Sequence, residues 1–71
     1  MSHIIAAEMA ANVWKVLVES GATVNAGDEL CILESMKMEI PVLSDITGTV
    51  TQVHIAEGQS VQQGGALVTI E

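Results

Sequence analysis

Apolar and polar positions along the chain alternate with the period of a β-strand. Val16 and Val18 alternate along the chain, as do Val53 and Ile55, the spacing that puts one face of a strand inside. The step from Val13 to Val16 breaks that phase and predicts a bulge or bend between them. β-branched residues are frequent, which suits a pleated surface, and no window offers a capped amphipathic helix. The pattern predicts strands over 3–7, 12–18, 23–25 and 29–35, then a tight reversal, then 38–43, 49–55, 60–62 and 66–71. Gly21, Gly27, Gly58 and Gly64 punctuate these runs as turn residues. Pro41 lacks an N–H and belongs on a strand edge or at a bend.

The two series of strands are copies of each other. Residues 10–34 aligned on 47–71, a displacement of 37, give 7 identities: Val13/Val50, Val16/Val53, Gly21/Gly58, Val24/Val61, Gly27/Gly64, Leu30/Leu67 and Glu34/Glu71. Val18/Ile55, Thr23/Ser60 and Leu33/Ile70 are near matches. Two equivalent β units in one short chain predict an all-β fold, a flattened β-barrel or a sandwich of two small antiparallel sheets with pseudo-twofold symmetry, which hides strand edges. Residues 1–71 make a single domain. Lys37 lies just past the first unit, and its equivalent after the second unit would be position 74. The reversal carrying Lys37 is therefore expected at the end of the molecule opposite the chain termini.

Size and charge narrow the chemistry. A chain of 7.4 kDa exposes roughly 4,200 Å² when folded and buries only about 60% of its unfolded surface, too thin a core for an enclosed substrate pocket; a module that acts with partners is expected. Nine acids oppose two bases, a net charge of −7. Nucleic-acid phosphates need clustered Lys and Arg, and anionic membranes are disfavoured for the same reason; neither is expected as a partner. Apolar runs such as Leu30 to Leu33 are far shorter than a membrane span, and Met1-Ser2-His3 has no cationic signal-peptide start. With a single cysteine, Cys31, no internal disulfide forms. The expected location is cytoplasmic.

Few residues remain as chemical candidates. His3, His54 and Cys31 have no metal-ligand spacing, and no metal site is expected. His54 pairs with Leu17 in the repeat, a sheet-surface position, and Cys31 pairs with Val68, the place of a small buried hydrophobe. Trp14, opposite Thr51 in the repeat, is the one aromatic and fits either the core or a partner contact. Of the two lysines, Lys15 lies in mid-strand beside Trp14, whereas Lys37 lies at the reversal within Glu34-Ser35-Met36-Lys37-Met38-Glu39. An exposed lysine in a hairpin often only keeps an edge soluble. Two methionines at an exposed turn, two bracketing glutamates and the scarcity of other cations favour a functional lysine.

That segment resembles the E-A/S-M-K-M-E signature of biotinyl domains, in which the central lysine is biotinylated. The resemblance extends over nearly the whole chain. Val13-Trp-Lys-Val-Leu-Val with Gly21, Val24, Gly27 and Leu30, and Gly48-Thr-Val through to Ile70-Glu71, look like the half-units that flank the lysine in that family. Ser35 stands where the family usually has Ala, and Met9-Ala10-Ala11 lacks the glycine often found before the first valine. The chain is similar to the minimal, thumbless type of the biotinyl/lipoyl hammerhead fold, which includes free-standing biotin/lipoyl attachment proteins.

The resemblance implies a non-catalytic carrier of a biotin-dependent carboxylase system. Lys37 Nζ is then acylated from biotinyl-AMP by a biotin protein ligase, and the attached biotin carries CO₂ as carboxybiotin from a biotin carboxylase to a carboxyltransferase. The nucleophile is the free amine, and acidic neighbours favour its protonated form. Glu34 and Glu39, with Ser35, Met36 and Met38, are accordingly read as recognition residues for the ligase, not as bases. Two alternatives stay open. A lipoyl carrier, or a dual biotin/lipoyl acceptor, uses the same fold, although Asp-Lys-Ala is the usual lipoyl setting. An unmodified structural hammerhead is the other.

Overall fold

The computed structural model describes residues 2–71; Met1, with which the N-terminal segment read above begins, lies outside them. Eight strands follow in order: β1 (His3–Ala6), β2 (Ala11–Val16), β3 (Thr23–Val24), β4 (Glu29–Ser35), β5 (Met38–Leu43), β6 (Gly48–Val53), β7 (Ser60–Val61) and β8 (Ala66–Ile70). All eight lie where the apolar alternation puts strands. β1, β3, β7 and β8 end one residue short of the expectation, and β2 and β6 end two residues short, at Val16 and Val53; in these last two the shortfall has a visible cause. There the chain still makes one cross-chain bond, Leu17 N to Leu30 O and His54 N to Leu67 O, and then leaves for the Gly21 and Gly58 turns.

The strands form two antiparallel four-stranded sheets, ordered β1-β8-β6-β3 and β5-β4-β2-β7. A displacement of 37 residues, added for β1 and β3 and subtracted for β8 and β6, converts the first sheet into the second. The register agrees as well: His3 faces Ile70 as Ile40 faces Leu33, and Ile5 faces Val68 as Val42 faces Cys31. The symmetry thus includes β1 and β5, which sequence self-comparison leaves out. The expected phase break is present twice, as a register shift between Val13 and Lys15 in β2 and between Val50 and Gln52 in β6.

The core lies between the sheets and is built from the repeated positions. Leu30/Leu67, Cys31/Val68, Leu33/Ile70 and Val13/Val50 are all at most 2% exposed. Each such side chain contributes roughly 1.5–3 kcal/mol by leaving water. Short edge strands β3 and β7 limit the open sheet margins. The other margins are β5 and β1, and Pro41 falls on the edge strand β5, where its missing N–H is tolerated. The folded surface is 4346 Å², close to the size-scaling expectation.

His3 and Glu71 sit at the far end from the Lys37 reversal. His3 Nε2 lies 2.8 Å from Asp45 Oδ1, just past the end of β5 away from the turn. Glu71 exchanges both backbone hydrogen bonds with Thr49. With a rise of about 3.3 Å per residue, β5 alone separates the reversal from that end by roughly 17 Å.

Candidate functional site

Strands β4 and β5 are joined by only two residues, Met36 and Lys37, between the paired Ser35 and Met38. A two-residue hairpin whose strands twist correctly needs positive φ at both central residues. Both have it, Met36 at 53° and Lys37 at 65°. These are the only non-glycine residues in that region among the described residues; elsewhere the chain enters it at Gly21, Gly27, Gly58 and Gly64. A left-handed L-residue costs roughly 1–2 kcal/mol. At the tip, side chains are retained where glycine or asparagine would relieve that strain, a pattern typical of functional positions.

The tip projects beyond the core. Lys37 is exposed and forms no ion pair among the described residues, where the single basic–acidic contact is His3–Asp45. Met36 is 92% exposed and Met38 is 64% exposed, so Met36 covers nothing of the sheet's end. Glu34 and Glu39 do not merely bracket the lysine in sequence: they face each other as cross-strand partners, and both are exposed. Like charges directly opposite are unfavourable in a hairpin. Ser35 is half-buried. Beside the tip, an open groove of about 340 Å³ runs past Asn12, Glu34, Ser35, Met36 and Gln62. The tip therefore offers one primary amine, reachable from many directions, on a short and well-defined turn. That suits a group attached through the amine, and no base stands ready to activate it.

The other candidates resolve differently. Cys31 is fully buried, and burial pushes its thiol up to about 11. Lys15 holds its ammonium 5.5 Å from the Trp14 ring, a cation–π distance. His54 is exposed on the sheet surface and pairs with Thr69 at 2.7 Å. No group of three or more metal-ligating side chains gathers among the described residues. Trp14, left undecided by its sequence, is 42% exposed; its repeat partner, the polar Thr51, was the signal that pointed outward.

Comparison with known proteins places the whole chain in a family. The family described as biotin-requiring enzyme matches residues 2–70. The chain belongs to that family. It is 44% identical over 66 residues to the biotin/lipoyl attachment protein of Bacillus subtilis, covering 93% of this chain and 90% of that one. It is 50% identical over 70 residues to pyruvate carboxylase of the same organism, covering 99% of this chain but only 6% of that one. Among solved structures, urea carboxylase of Kluyveromyces lactis superposes with a TM-score of 0.93 at 28% identity, over 100% of this chain and 6% of that chain. The biotin-requiring fold therefore occurs at this size as a nearly complete small protein and as a small part of much larger carboxylases.

Proposed function

We propose that the protein is a biotin carboxyl carrier in which Lys37 is the attachment residue. The observation that carries this reading is the exposed lysine held at positive φ on a two-residue turn, far from the chain ends. Family membership and the names of the relatives support biotin as the attached group. Lys37 Nζ, as the free amine, forms an amide with the biotin carboxyl carbon; AMP leaves that carbon, and the amine releases a proton. Since the tip supplies no base, a biotin protein ligase provides the activation. Once bound, biotin supplies a ureido nitrogen able to hold a carboxyl group. The chain's own part is positional and non-catalytic. The β4–β5 hairpin fixes where the arm begins, and tethering raises the local concentration of the arm at a biotin carboxylase and at a carboxyltransferase. Met36 and Met38 give the ligase an adaptable apolar contact, and Glu34, Ser35 and Glu39 give it a polar one.

Intact mass after co-expression with a biotin ligase, and separately with a lipoyl ligase, tests this reading. The expected result is one biotin increment, lost in Lys37→Arg although Lys15 is still present. A lipoyl increment alone makes the protein a lipoyl carrier. No increment with either ligase leaves it an unmodified hammerhead.

A further inference from the structure

The two sheets share a backbone plan but not an outer surface. On the outer side of β5-β4-β2-β7, Lys15, Ile32 and Pro41 form one cross-strand row, and cross-strand partners share a face. Trp14 lies with Lys15, its ring under the ammonium. Leu43 pairs with Glu29 farther along β5. Leu17 is the repeat equivalent of His54, which contacts Thr69, the equivalent of Ile32. Trp14, Leu17 and Leu43 are each between 42% and 49% exposed.

The other sheet supplies the control. Its residues at the equivalents of Trp14, Lys15, Leu17, Ile32, Pro41 and Leu43 are Thr51, Gln52, His54, Thr69, Ile4 and Ala6. One face thus shows five large or ring-bearing apolar side chains, and the other shows Ile4. Scattered exposed apolar residues need no explanation. Their concentration on one of two faces that the same fold would tolerate equally does need one. The acids follow the same bias: Glu29, Glu34 and Glu39 lie on the apolar face, where the equivalents on the other are Ala66, Glu71 and Ser2.

We infer that the outer face of β5-β4-β2-β7 is the docking surface for the ligase that acylates Lys37, through an apolar patch on that enzyme rimmed by Lys and Arg. This rests on the carrier reading given above. Three observations select that occupant. The face is continuous with the hairpin that bears Lys37. Its apolar centre has an acidic margin, which calls for a basic rim on the partner. An enzyme that acylates Nζ must come within one lysine side chain of the hairpin, whereas enzymes acting on the attached group are held away by the whole arm. Trp14, on the β2 side of the patch and 42% exposed, is the aromatic anchor expected of such an interface.

Exchange of residues between the faces tests the inference on the full-length chain. Trp14→Thr, and separately Leu17→His with Ile32→Thr, place on this sheet what the other sheet already accommodates. The reverse change, Thr51→Trp, serves as control. Biotin incorporation is followed with purified biotin protein ligase, ATP and biotin, with circular dichroism to verify folding. The expected result is a KM for the carrier raised about 10-fold in Trp14→Thr, a kcat within about twofold of wild type, and no change in Thr51→Trp. Unchanged KM in both face variants, with wild type still modified at Lys37, overturns the docking face and leaves the carrier reading intact. Failure of the wild type to be modified overturns both. A wild-type dimer in sedimentation that Trp14→Thr dissociates assigns the face to a second copy and overturns the inference.

Discussion

The first half of the chain ends in a closed, two-residue turn with an exposed lysine; the second half ends in an open pair of chain ends. Everything between them is shared. Registers, bulges and turns correspond: Gly27 donates to Ser44 O as Gly64 donates to Ala7 O, and Gly21 to Val50 O as Gly58 to Val13 O. Six of the seven identities of the repeat fall on core and turn positions, because packing and positive φ constrain both halves alike; the seventh, Glu34/Glu71, is exposed in both halves. The departures fall on the β4–β5 tip and on the outer sheet faces, where folding makes no such demand. In this molecule the breaks in symmetry mark where chemistry and recognition lie, and the repeat supplies its own reference state for each of them.

The sharpest way to break the comparison is at Ala11 and Gly48, equivalent positions that begin β2 and β6. A Cβ on Gly48 would lie 2.6 Å from the carbonyl oxygen of Glu71 and 2.8 Å from Ile70 Cγ2. The first is backbone and cannot swing aside. Gly48→Ala is expected to destabilise the protein by about 3 kcal/mol, the upper part of the range for overpacking. Ala11→Gly changes stability by about 1 kcal/mol or less. Urea denaturation of both variants measures the difference. Equal effects would show that the two strand entries are as interchangeable as their register implies.

Much of the fold was legible because each half-buried strand prints its period and the second copy confirms it. The Val13–Lys15 bulge shows why: the phase slip recurs as Val50–Gln52. The equivalence of β1 and β5 was not legible. These edge strands share no identities, His3-Ile4-Ile5-Ala6 against Ile40-Pro41-Val42-Leu43, since an edge is packed on fewer sides. Strand ends were read two residues long because Leu17-Val18 and His54-Ile55 keep the apolar rhythm after the ladder stops. At the tip, the motif pointed to Lys37 but gave no sign that Met36 and Lys37 both adopt positive φ. The face-to-face placement of Glu34 and Glu39 needed the register.

A second contrast is Cys31 against Val68, both fully buried at equivalent places. Desolvation pushes the Cys31 thiol from 9.0 up to about 11. A raised folded-state value for an acid means that the unfolded thiol ionises first. Stability from the neutral, buried form is therefore complete below pH 9 and is lost as pH rises through the window from 9 to 11. At pH 10 the loss amounts to about 1 kcal/mol. Cys31→Val, which makes the two positions alike, should match wild type at neutral pH within about 1 kcal/mol and be more stable by that increment at pH 10. Thermal melts of both proteins at pH 7 and 10 provide the check; parallel shifts would show that the thiol does not couple to folding.

The smallest effect concerns the turn itself. If Met36 is retained for contact and not for folding, replacing it by a residue suited to positive φ should stabilise the hairpin. Asn adopts that region readily, so Met36→Asn is expected to gain up to about 1 kcal/mol, a rise in Tm of about 4–8 °C for a domain of this size. The same change removes a thioether that is 92% exposed and should slow biotin incorporation. Stability and function then move in opposite directions at one residue, as they do where strain is kept for a site. A variant that melts no higher than wild type would mean that the turn holds Met36 without strain, and that the difference between the closed end of the molecule and its open end is one of chain connection alone.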